Sequence, residues 1–419
     1  MGHDRFSFLK VAREALRGHT GWQKMWRDPE PRPAYDVIIV GGGGHGLATA
    51  FYLAEEFGIT NVAVLEKGWI GSCNVGRNTT IVRSNYLLPG NVPFYELSMK
   101  LWEGLEKSFN YNAMVSQRGV LNLYHSDAQR DAYARRGNAM RLHGVDAELV
   151  DSAAVRAMVP FLDFNNARFP IQGGLLQRRG GTVRHDAVAW GYARGADRHG
   201  VDIIQNCEVT GFDIEAGEVV GVRTTRGPIR AGKVALSCAG NSSRVASLAG
   251  LRLPIESHVL QAFVSEGIKP LLDNVVTFGA GHFYVSQSDK GGLVFGGDLD
   301  GYNSYAQRGN LPTIEDVCEG GMALMPNLGR LRLLRHWGGI ADMSMDGSPI
   351  IDHTPLGRLY LNAGWSYGGF KATPAAGMCF AHLIACDAPH PVATAFRLDR
   401  FGRGAVIDEK GVGAQPNLH

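Results

Sequence analysis

The clearest hydrophobic pattern in the chain lies at residues 36–65. The segment 36–40 reads Asp-Val-Ile-Ile-Val, an apolar run rich in β-branched side chains that is typical of a strand buried on both faces. Apolar residues then recur at helical spacing over 45–57, Gly58 ends that pattern, and a second apolar run occupies 62–65. This order of elements predicts a βαβ unit.

The rest of the chain mixes helical and extended patterns. Helices are predicted at 94–109, 128–143, 186–198 and 373–385, and extended segments at 119–124, 201–239, 257–298 and 359–362. Turn signals inside 201–239 predict a meander, and no repeat of fixed period is present. The basic arm at 1–33 carries Trp22 and Trp26, which we expect to pack on this chain or on another subunit.

Length, charge and cysteine spacing narrow the function classes. A chain of 419 residues exceeds the size of one core, so we expect two connected domains. Lysine and arginine number 42 against 40 acidic residues, a balance that argues against nucleic-acid binding. The six cysteines lack metal-ligand spacing, so we expect reduced thiols and no metal site. No apolar run approaches the ~18 residues of a membrane span, and we expect a cytoplasmic protein.

A glycine motif follows the first predicted strand. Gly41, Gly43 and Gly46 have the spacing in which the first glycine permits a tight turn, the second lets backbone approach a pyrophosphate, and the third lets helix pack on strand. The start of the helix then offers free N–H groups to phosphate. Glu66 ends the second strand about twenty residues later, where an acid can bind a ribose hydroxyl and disfavours NADP. NAD and FAD both remain open at this point.

Four further segments resemble a known family. They are Gly-Trp-Ile-Gly-Ser-Cys-Asn-Val-Gly-Arg-Asn-Thr-Thr-Ile-Val-Arg-Ser-Asn-Tyr at 68–86, Gly-Gly-Thr-Val-Arg-His-Asp-Ala-Val-Ala-Trp at 180–190, Gln-Asn-Cys-Glu-Val-Thr-Gly at 205–211 and Gly-Phe-Lys-Ala-Thr-Pro at 369–374. Together with the glycine motif, they resemble the FAD-dependent amine oxidoreductases related to glycine oxidase and monomeric sarcosine oxidase. The closer resemblance is to the beta subunits of heterotetrameric sarcosine oxidases, and it covers nearly the whole chain.

The resemblance implies an α/β fold of two interleaved domains. One is a Rossmann-like, three-layer FAD domain of the glutathione-reductase type, expected at 34–115, 170–252 and 336–395. The other is an α+β substrate domain on a mixed or antiparallel sheet, expected at 116–169 and 253–335. An arm at 1–33 and a tail at 396–419 complete the expected organisation.

The resemblance also implies an activity and partners. Members of that family oxidise sarcosine on noncovalent FAD, pass the electrons to covalent FMN and then to oxygen, and form glycine, hydrogen peroxide and either formaldehyde or 5,10-methylenetetrahydrofolate. They do so in a complex with alpha, gamma and delta subunits. Residues 340–343 lack the cysteine that holds FAD in the simpler oxidases, which favours noncovalent FAD. The FMN would be attached to His185, beside Arg184 at a helix start; from its pattern alone, His185 reads as a helix-start or surface histidine.

The same resemblance assigns residues to the substrate and to FAD. Arg83 and Lys371 would hold the carboxylate, although a structural role is the alternative for each. Tyr284 would line the pocket or be a core tyrosine, and His336 would approach a flavin or be a buried, hydrogen-bonded histidine. The expected FAD contacts are Gly41, Gly43, Gly44, His45, Gly46, Glu66, Lys67, Asn74, Arg77, Thr79, Thr80, Ile81, Val209, Ala239, Gly240, Gly364, Gly368, Gly369 and Lys371.

Two other functions stay open at the level of sequence. The chain could oxidise another secondary or tertiary amine, such as dimethylglycine, proline, glycine or an opine, with FAD as the one flavin. It could also be a dinucleotide-binding scaffold or redox sensor without catalysis. Departures from the beta-subunit pattern at Cys73, Ser366 and Tyr367 bear on substrate preference or on the flavin potential.

Overall fold

The predicted helices and strands appear in a computed structural model that describes residues 7–20, 24–165, 168–281 and 283–409. The helices are α1 (Phe8–Leu16), α2 (Gly44–Phe57), α3 (Val92–Phe109), α4 (Asp127–Leu142), α5 (Ser152–Met158), α6 (His185–Arg198), α7 (Ser242–Ser247), α8 (Leu311–Leu324) and α9 (Thr373–Cys386). The strands of the first half are β1 (Ala34–Val40), β2 (Val62–Leu65), β3 (Ile81–Val82), β4 (Val120–Tyr124), β5 (Glu148–Asp151), β6 (Gly173–Gln177), β7 (Gly181–Thr182), β8 (Asp202–Ile204) and β9 (Val209–Glu215). Those of the second half are β10 (Glu218–Thr224), β11 (Gly227–Leu236), β12 (Ile255–Gly267), β13 (Val275–Thr277), β14 (Tyr284–Gln287), β15 (Gly292–Leu299), β16 (Leu333–Ser344), β17 (Ile350–His353) and β18 (Leu359–Ala363).

The first sheet is the dinucleotide-binding sheet. Its order is β17-β18-β11-β1-β2-β8, with β9 and β10 joined to β11 as an antiparallel ribbon. β1 is flanked by parallel neighbours on both sides, and its residues Ile38 and Ile39 are fully buried on opposite faces. Helices α2, α6 and α9 pack over one face, while the ribbon and α7 pack over the other. The predicted βαβ unit and α/β class are confirmed.

The second sheet closes over the first. Its order is β16-β12-β15-β14-β13-β4-β6-β5, and every pair is antiparallel except β13 with β4. Helices α5 and α8 cover one face with an aromatic and aliphatic core. The predicted mixed sheet of a substrate domain is confirmed.

Two strands lie in a different sheet from the one that the domain boundaries implied. β6 lies in the segment 170–252 and most of β16 lies in the segment 336–395, which the resemblance assigned to the FAD domain, but they pair with β4 and β12 of the second sheet. The crossings between sheets therefore follow β6 and β16, later than residues 170 and 336. Trp26 of the arm packs against the first core, whereas Trp22 lies outside the described residues.

Candidate active site

A cavity of about 690 Å³ lies between the two sheets. Its volume falls within the ~300–1,000 Å³ range that is usual for small-molecule sites. Val40 and Leu65 line it at the carboxyl ends of β1 and β2, and Ala262, Thr277 and Tyr284 line it from the second sheet. In open α/β sheets, ligands bind at the carboxyl ends of parallel strands.

The glycine loop forms one end of this cavity. Gly41 has φ +113°, a conformation that favours glycine, and a Cβ on Gly46 would lie 1.9 Å from the Gly41 carbonyl oxygen. A Cβ on Gly43 would meet no described atom within 4 Å, yet Gly43 lines the cavity. Gly41 and Gly46 are thus required by the fold, whereas the space beside Gly43 is left for a ligand.

Glu66 is held firmly beside that loop. Its carboxylate accepts hydrogen bonds from the backbone N–H groups of Gly42 and Gly68, each at 2.9 Å, and it is 7% exposed. Lys67 and Val209 line the same region. A charged acceptor fixed at the end of β2 fits the ribose of an adenine dinucleotide, and the open cradle at Gly43 fits its pyrophosphate.

The part of the cavity around Lys371 carries two neighbouring cations. Arg83 and Lys371 both line it, and Lys371 is only 8% exposed. Burial, followed by the positive charge of Arg83, lowers the pKa of Lys371 well below the ordinary value for lysine. The Lys371 ammonium donates to the carbonyl oxygen of Tyr367 at 2.6 Å. This part of the cavity is suited to a small anion, whose negative charge would compensate the positive charges of Arg83 and Lys371 together.

Acidic and phenolic groups of the cavity wall are also perturbed. Asp342 on β16 accepts the N–H groups of Gly364 and Trp365 at 2.7 and 3.1 Å, and burial raises its pKa to about 6. Burial raises the pKa of Tyr284 to about 12, and Thr79 donates to its hydroxyl at 3.1 Å. Sequence reasoning missed Asp342, for which the signal was a carboxylate inside the apolar strand pattern of β16.

A family model described as FAD dependent oxidoreductase matches residues 36–383. The chain belongs to this family of FAD-dependent oxidoreductases. It is 78% identical to "Sarcosine oxidase subunit beta" of Rhizobium meliloti over 99% of this chain and 100% of that protein. It is 51% identical to the protein of the same name from Rhodobacter capsulatus, over 97% and 98% of the two chains.

Solved structures of other flavoproteins share the fold of this FAD-dependent oxidoreductase. The crystal structure of L-proline dehydrogenase from P. horikoshii superimposes with a TM-score of 0.83 at 26% identity, covering 90% of this chain and all of that one. Glycine oxidase from Geobacillus kaustophilus gives a TM-score of 0.78 at 21% identity over 88% and 99% of the two chains, which shows the fold alone.

Most of the predicted FAD contacts meet at the cavity of this FAD-dependent oxidoreductase. Those that line it are Gly41, Gly43, Gly44, His45, Glu66, Lys67, Asn74, Arg77, Thr79, Thr80, Ile81, Val209, Ala239, Gly240, Gly369 and Lys371. Within the described structure, Gly46, Gly364 and Gly368 do not line it. Gly364 has φ +73°, and a Cβ on Gly368 would lie 2.0 Å from the Tyr95 hydroxyl. These three glycines are therefore explained by backbone geometry and packing.

The structure does not bring His336 to the cavity. Its ring stacks on Phe263 with the centroids 4.3 Å apart, and its Nε2 is 2.8 Å from Oε1 of Gln261. In the described chain, the cavity-lining part of β16 begins at Gly339. His336 thus matches the alternative of a hydrogen-bonded structural histidine, because its place on the strand directs it to Phe263.

His185 lies at the start of α6, separated from the cavity by a short pair of strands. β7 precedes it and pairs with β3, and the N–H of Val183 donates to the Thr80 carbonyl at 3.0 Å. The Nδ1 atom of His185 is buried and has no hydrogen-bond partner among the described residues, and burial lowers the pKa of the ring. Arg184 forms a bidentate ion pair with Asp186 at 2.7 and 2.8 Å.

The described residues contain no group of three or more His, Cys, Asp or Glu side chains that could hold a metal ion. No described helix is both long enough and apolar enough to cross a membrane.

Proposed function

We propose that this chain is the beta subunit of a sarcosine oxidase, in which it oxidises the methylamino group of sarcosine with FAD bound noncovalently in the cavity. The observation that carries the proposal is the pair of cations Arg83 and Lys371, which line the same cavity as Glu66 and the glycine loop. Sarcosine is a small carboxylate with a secondary amine. The names of the relatives at 78% and 51% identity support the same substrate.

The side chains of this chain would bind and orient the substrate. Arg83 offers a planar fork of donors and Lys371 a point charge, so the two cations would bind the carboxylate and leave the methylamino end of the substrate free to react. When bound, FAD supplies the acceptor for the hydride that leaves the carbon beside nitrogen. Trp365 is buried and Tyr284 is half-buried, and both line the cavity, so with FAD bound they would limit water at the reacting carbon.

A second flavin completes the proposed reaction. We propose that His185, beside Arg184, would hold FMN covalently; when bound there, FMN would supply the route by which electrons reach oxygen. With water, sarcosine and oxygen then give glycine, formaldehyde and hydrogen peroxide; with a folate acceptor the one-carbon unit leaves as 5,10-methylenetetrahydrofolate. The support is a buried imidazole nitrogen without a partner among the described residues, close to the cavity wall at Thr80. The alpha, gamma and delta subunits are the proposed partners, supported by the word "subunit" in the names of the relatives.

Anaerobic reduction of the purified holoprotein with its partner chains tests the substrate. Sarcosine should bleach the flavin absorption, whereas sarcosine amide, which lacks the anion, should do so only at much higher concentration. Arg83→Gln and Lys371→Met should raise the sarcosine concentration needed by about 10-fold or more each, from the loss of a charge-assisted hydrogen bond. Faster bleaching by proline, dimethylglycine or glycine would show that this amine, and not sarcosine, is the substrate. The similarity to the solved L-proline dehydrogenase makes proline the first of these to try. No bleaching by any amine would point to a non-catalytic dinucleotide-binding role.

Denaturation tests the covalent flavin. After precipitation with acid, yellow fluorescence should stay on the polypeptide in the native protein and be lost in His185→Ala. His199→Ala, at the other end of α6, is the matched control and should keep the colour. If all of the colour washes out of the native protein, the proposal of FMN at His185 fails while oxidation on FAD stands.

A further inference from the structure

A chain of hydrogen-bonded side chains leads from Arg83, which follows β3, into the second sheet. The guanidinium of Arg83 donates to Oδ1 of Asn85, and Nδ2 of Asn85 donates to Oδ1 of Asn122 at 2.6 Å. Nδ2 of Asn122 then donates to the hydroxyl oxygen of Thr277, also at 2.6 Å. Asn85 is 1% exposed and Asn122 9%, so the chain runs through the interior. Its two ends, Arg83 and Thr277, both line the cavity.

The chemistry of the first member fixes the direction of every bond in this chain. An arginine side chain has donors and no acceptor, so Asn85 must turn its oxygen toward Arg83 and is left with its amide nitrogen for Asn122. Asn122 must in turn present its oxygen to Asn85 and its nitrogen to Thr277. The hydroxyl oxygen of Thr277 therefore accepts, and its hydrogen remains to be donated elsewhere.

The sheet places Thr277 in the wall of the cavity. Thr277 ends β13, where it pairs with Asn122 of β4 on one side and with Tyr284 of β14 on the other. Cross-strand neighbours present their side chains on one face of a sheet. Thr277 and Tyr284 both line the cavity. An acceptor for the Thr277 hydrogen is thus expected in the cavity itself.

We propose that Thr277 is a third anchor for the substrate, donating its hydroxyl hydrogen to the carboxylate that Arg83 and Lys371 bind. Asn85 and Asn122 are positioning residues, since they orient the guanidinium and make the hydroxyl a donor toward the cavity. The inference rests on the proposed function in one respect, namely that the cavity takes a small amino-acid anion.

Binding of a carboxylate that cannot be oxidised tests the anchor. Methoxyacetate keeps the methyl, methylene and carboxylate of sarcosine and replaces the amine by an ether oxygen, so its dissociation constant can be measured from the flavin absorption of the holoenzyme. Thr277→Val should bind it about 10-fold more weakly, because one hydrogen bond to a charged group is lost, while Thr277→Ser should stay near the native value. Thr313→Val, a buried threonine of α8 outside the cavity lining, is the control. With sarcosine, Thr277→Val should raise KM by a similar factor and change kcat little.

A double-mutant cycle tests the direction. A carboxylate only accepts, so Asn122→Asp should draw the Thr277 hydrogen to itself, and adding Thr277→Val to that variant should cost less than about 2-fold in methoxyacetate binding. In Asn122→Leu the hydroxyl keeps its hydrogen for the cavity, and the added Thr277→Val should again cost about 10-fold. An equal cost in the native, aspartate and leucine backgrounds would overturn the directional chain, and no cost in the native background would overturn the anchor.

These outcomes separate the inference from the proposed function. If sarcosine fails to reduce the native holoenzyme but methoxyacetate binding still depends on the Thr277 hydroxyl, the substrate proposal fails and the anchor stands. If sarcosine reduces the enzyme and Thr277→Val binds methoxyacetate as the native protein does, the anchor fails alone. Thr277→Ser keeps the hydroxyl and should bind methoxyacetate as the native protein does; a loss in Thr277→Ser as large as that in Thr277→Val would show a general distortion of the cavity and overturn the anchor.

Discussion

Two glycines three positions apart should respond in opposite ways to the same substitution. A Cβ on Gly46 would lie 1.9 Å from the Gly41 oxygen, where real Cβ atoms stay beyond 3.0 Å, so the start of α2 must move by about 1 Å. Such overpacking costs about 1–3 kcal/mol of folding free energy. Gly43 has φ −79° and ψ −176°, which alanine adopts readily, and a Cβ there meets no described atom within 4 Å. Gly43→Ala should therefore keep or gain about 0.4–1 kcal/mol in the apoprotein.

The difference should appear when FAD is added. The Gly43 Cβ would occupy the space left for the pyrophosphate, and the loss of one charge-assisted hydrogen bond of about 1.5–3 kcal/mol predicts FAD binding roughly 10- to 100-fold weaker. Thermal unfolding of the apoproteins and titration of each with FAD, followed by quenching of flavin fluorescence, measure both effects. Gly58→Ala, at φ +66° and away from the cavity lining, controls for the loss of a glycine. If Gly43→Ala binds FAD as tightly as the native chain, the backbone does not approach a pyrophosphate there.

Three further predictions concern charged groups. Burial lowers the pKa of Lys371, and only the protonated side chain carries the positive charge that binds anions. Methoxyacetate should therefore bind most tightly below that lowered pKa and more weakly as pH rises through it. In Lys371→Met this pH dependence should vanish. Burial raises the pKa of Asp342 from 3.8 to about 6. The difference in free energy of unfolding between the native protein and Asp342→Asn should therefore fall as pH rises over that interval and then level off. A difference that stays constant with pH would contradict the raised pKa. Arg400 and Asp346 form an ion pair in which both side chains are 1% exposed, and Arg400→Met should cost about 3–5 kcal/mol in urea unfolding, whereas Arg400→Met with Asp346→Leu should recover part of it.

The dinucleotide half of the site could be predicted because its signals are local. The turn at Gly41, the close approach at Gly46 and the acid at Glu66 lie within one βαβ unit, and that unit has one common way to fold. The structure places Gly41 and Glu66 at one cavity, as their spacing predicts. Arg83 and Lys371 came from the resemblance, since neither residue carries a local pattern that distinguishes an anion site from a surface charge.

The partition into sheets could not be predicted from local pattern. The sequence pattern did not predict β6 or β16 as strands, and a local apolar pattern does not tell which of two sheets a strand joins. What assigns β16 to the second sheet is its long antiparallel register with β12, from Ile255 opposite Ser344 to Ser265 opposite Leu333. The same register explains the placement of His336, which lies opposite Phe263 and stacks on it.

The hydrogen-bonded chain from Arg83 to Thr277 could be predicted from the sequence only in part. Asn122 interrupts the run Val-Leu-Asn-Leu-Tyr of β4, and an amide buried in an apolar strand has to be hydrogen-bonded, since an unpaired one costs about 1–3 kcal/mol. The sequence alone thus indicated that the side chain of Asn122 needs hydrogen-bond partners. The partners lie 37 and 155 positions away, at Asn85 and Thr277. Thr277 becomes a neighbour of Asn122 when β13 pairs with β4, and Asn85 when the loop after β3 packs against that sheet. A requirement for hydrogen bonds is thus readable from one strand, whereas the direction in which those bonds point follows from an arginine outside that sheet.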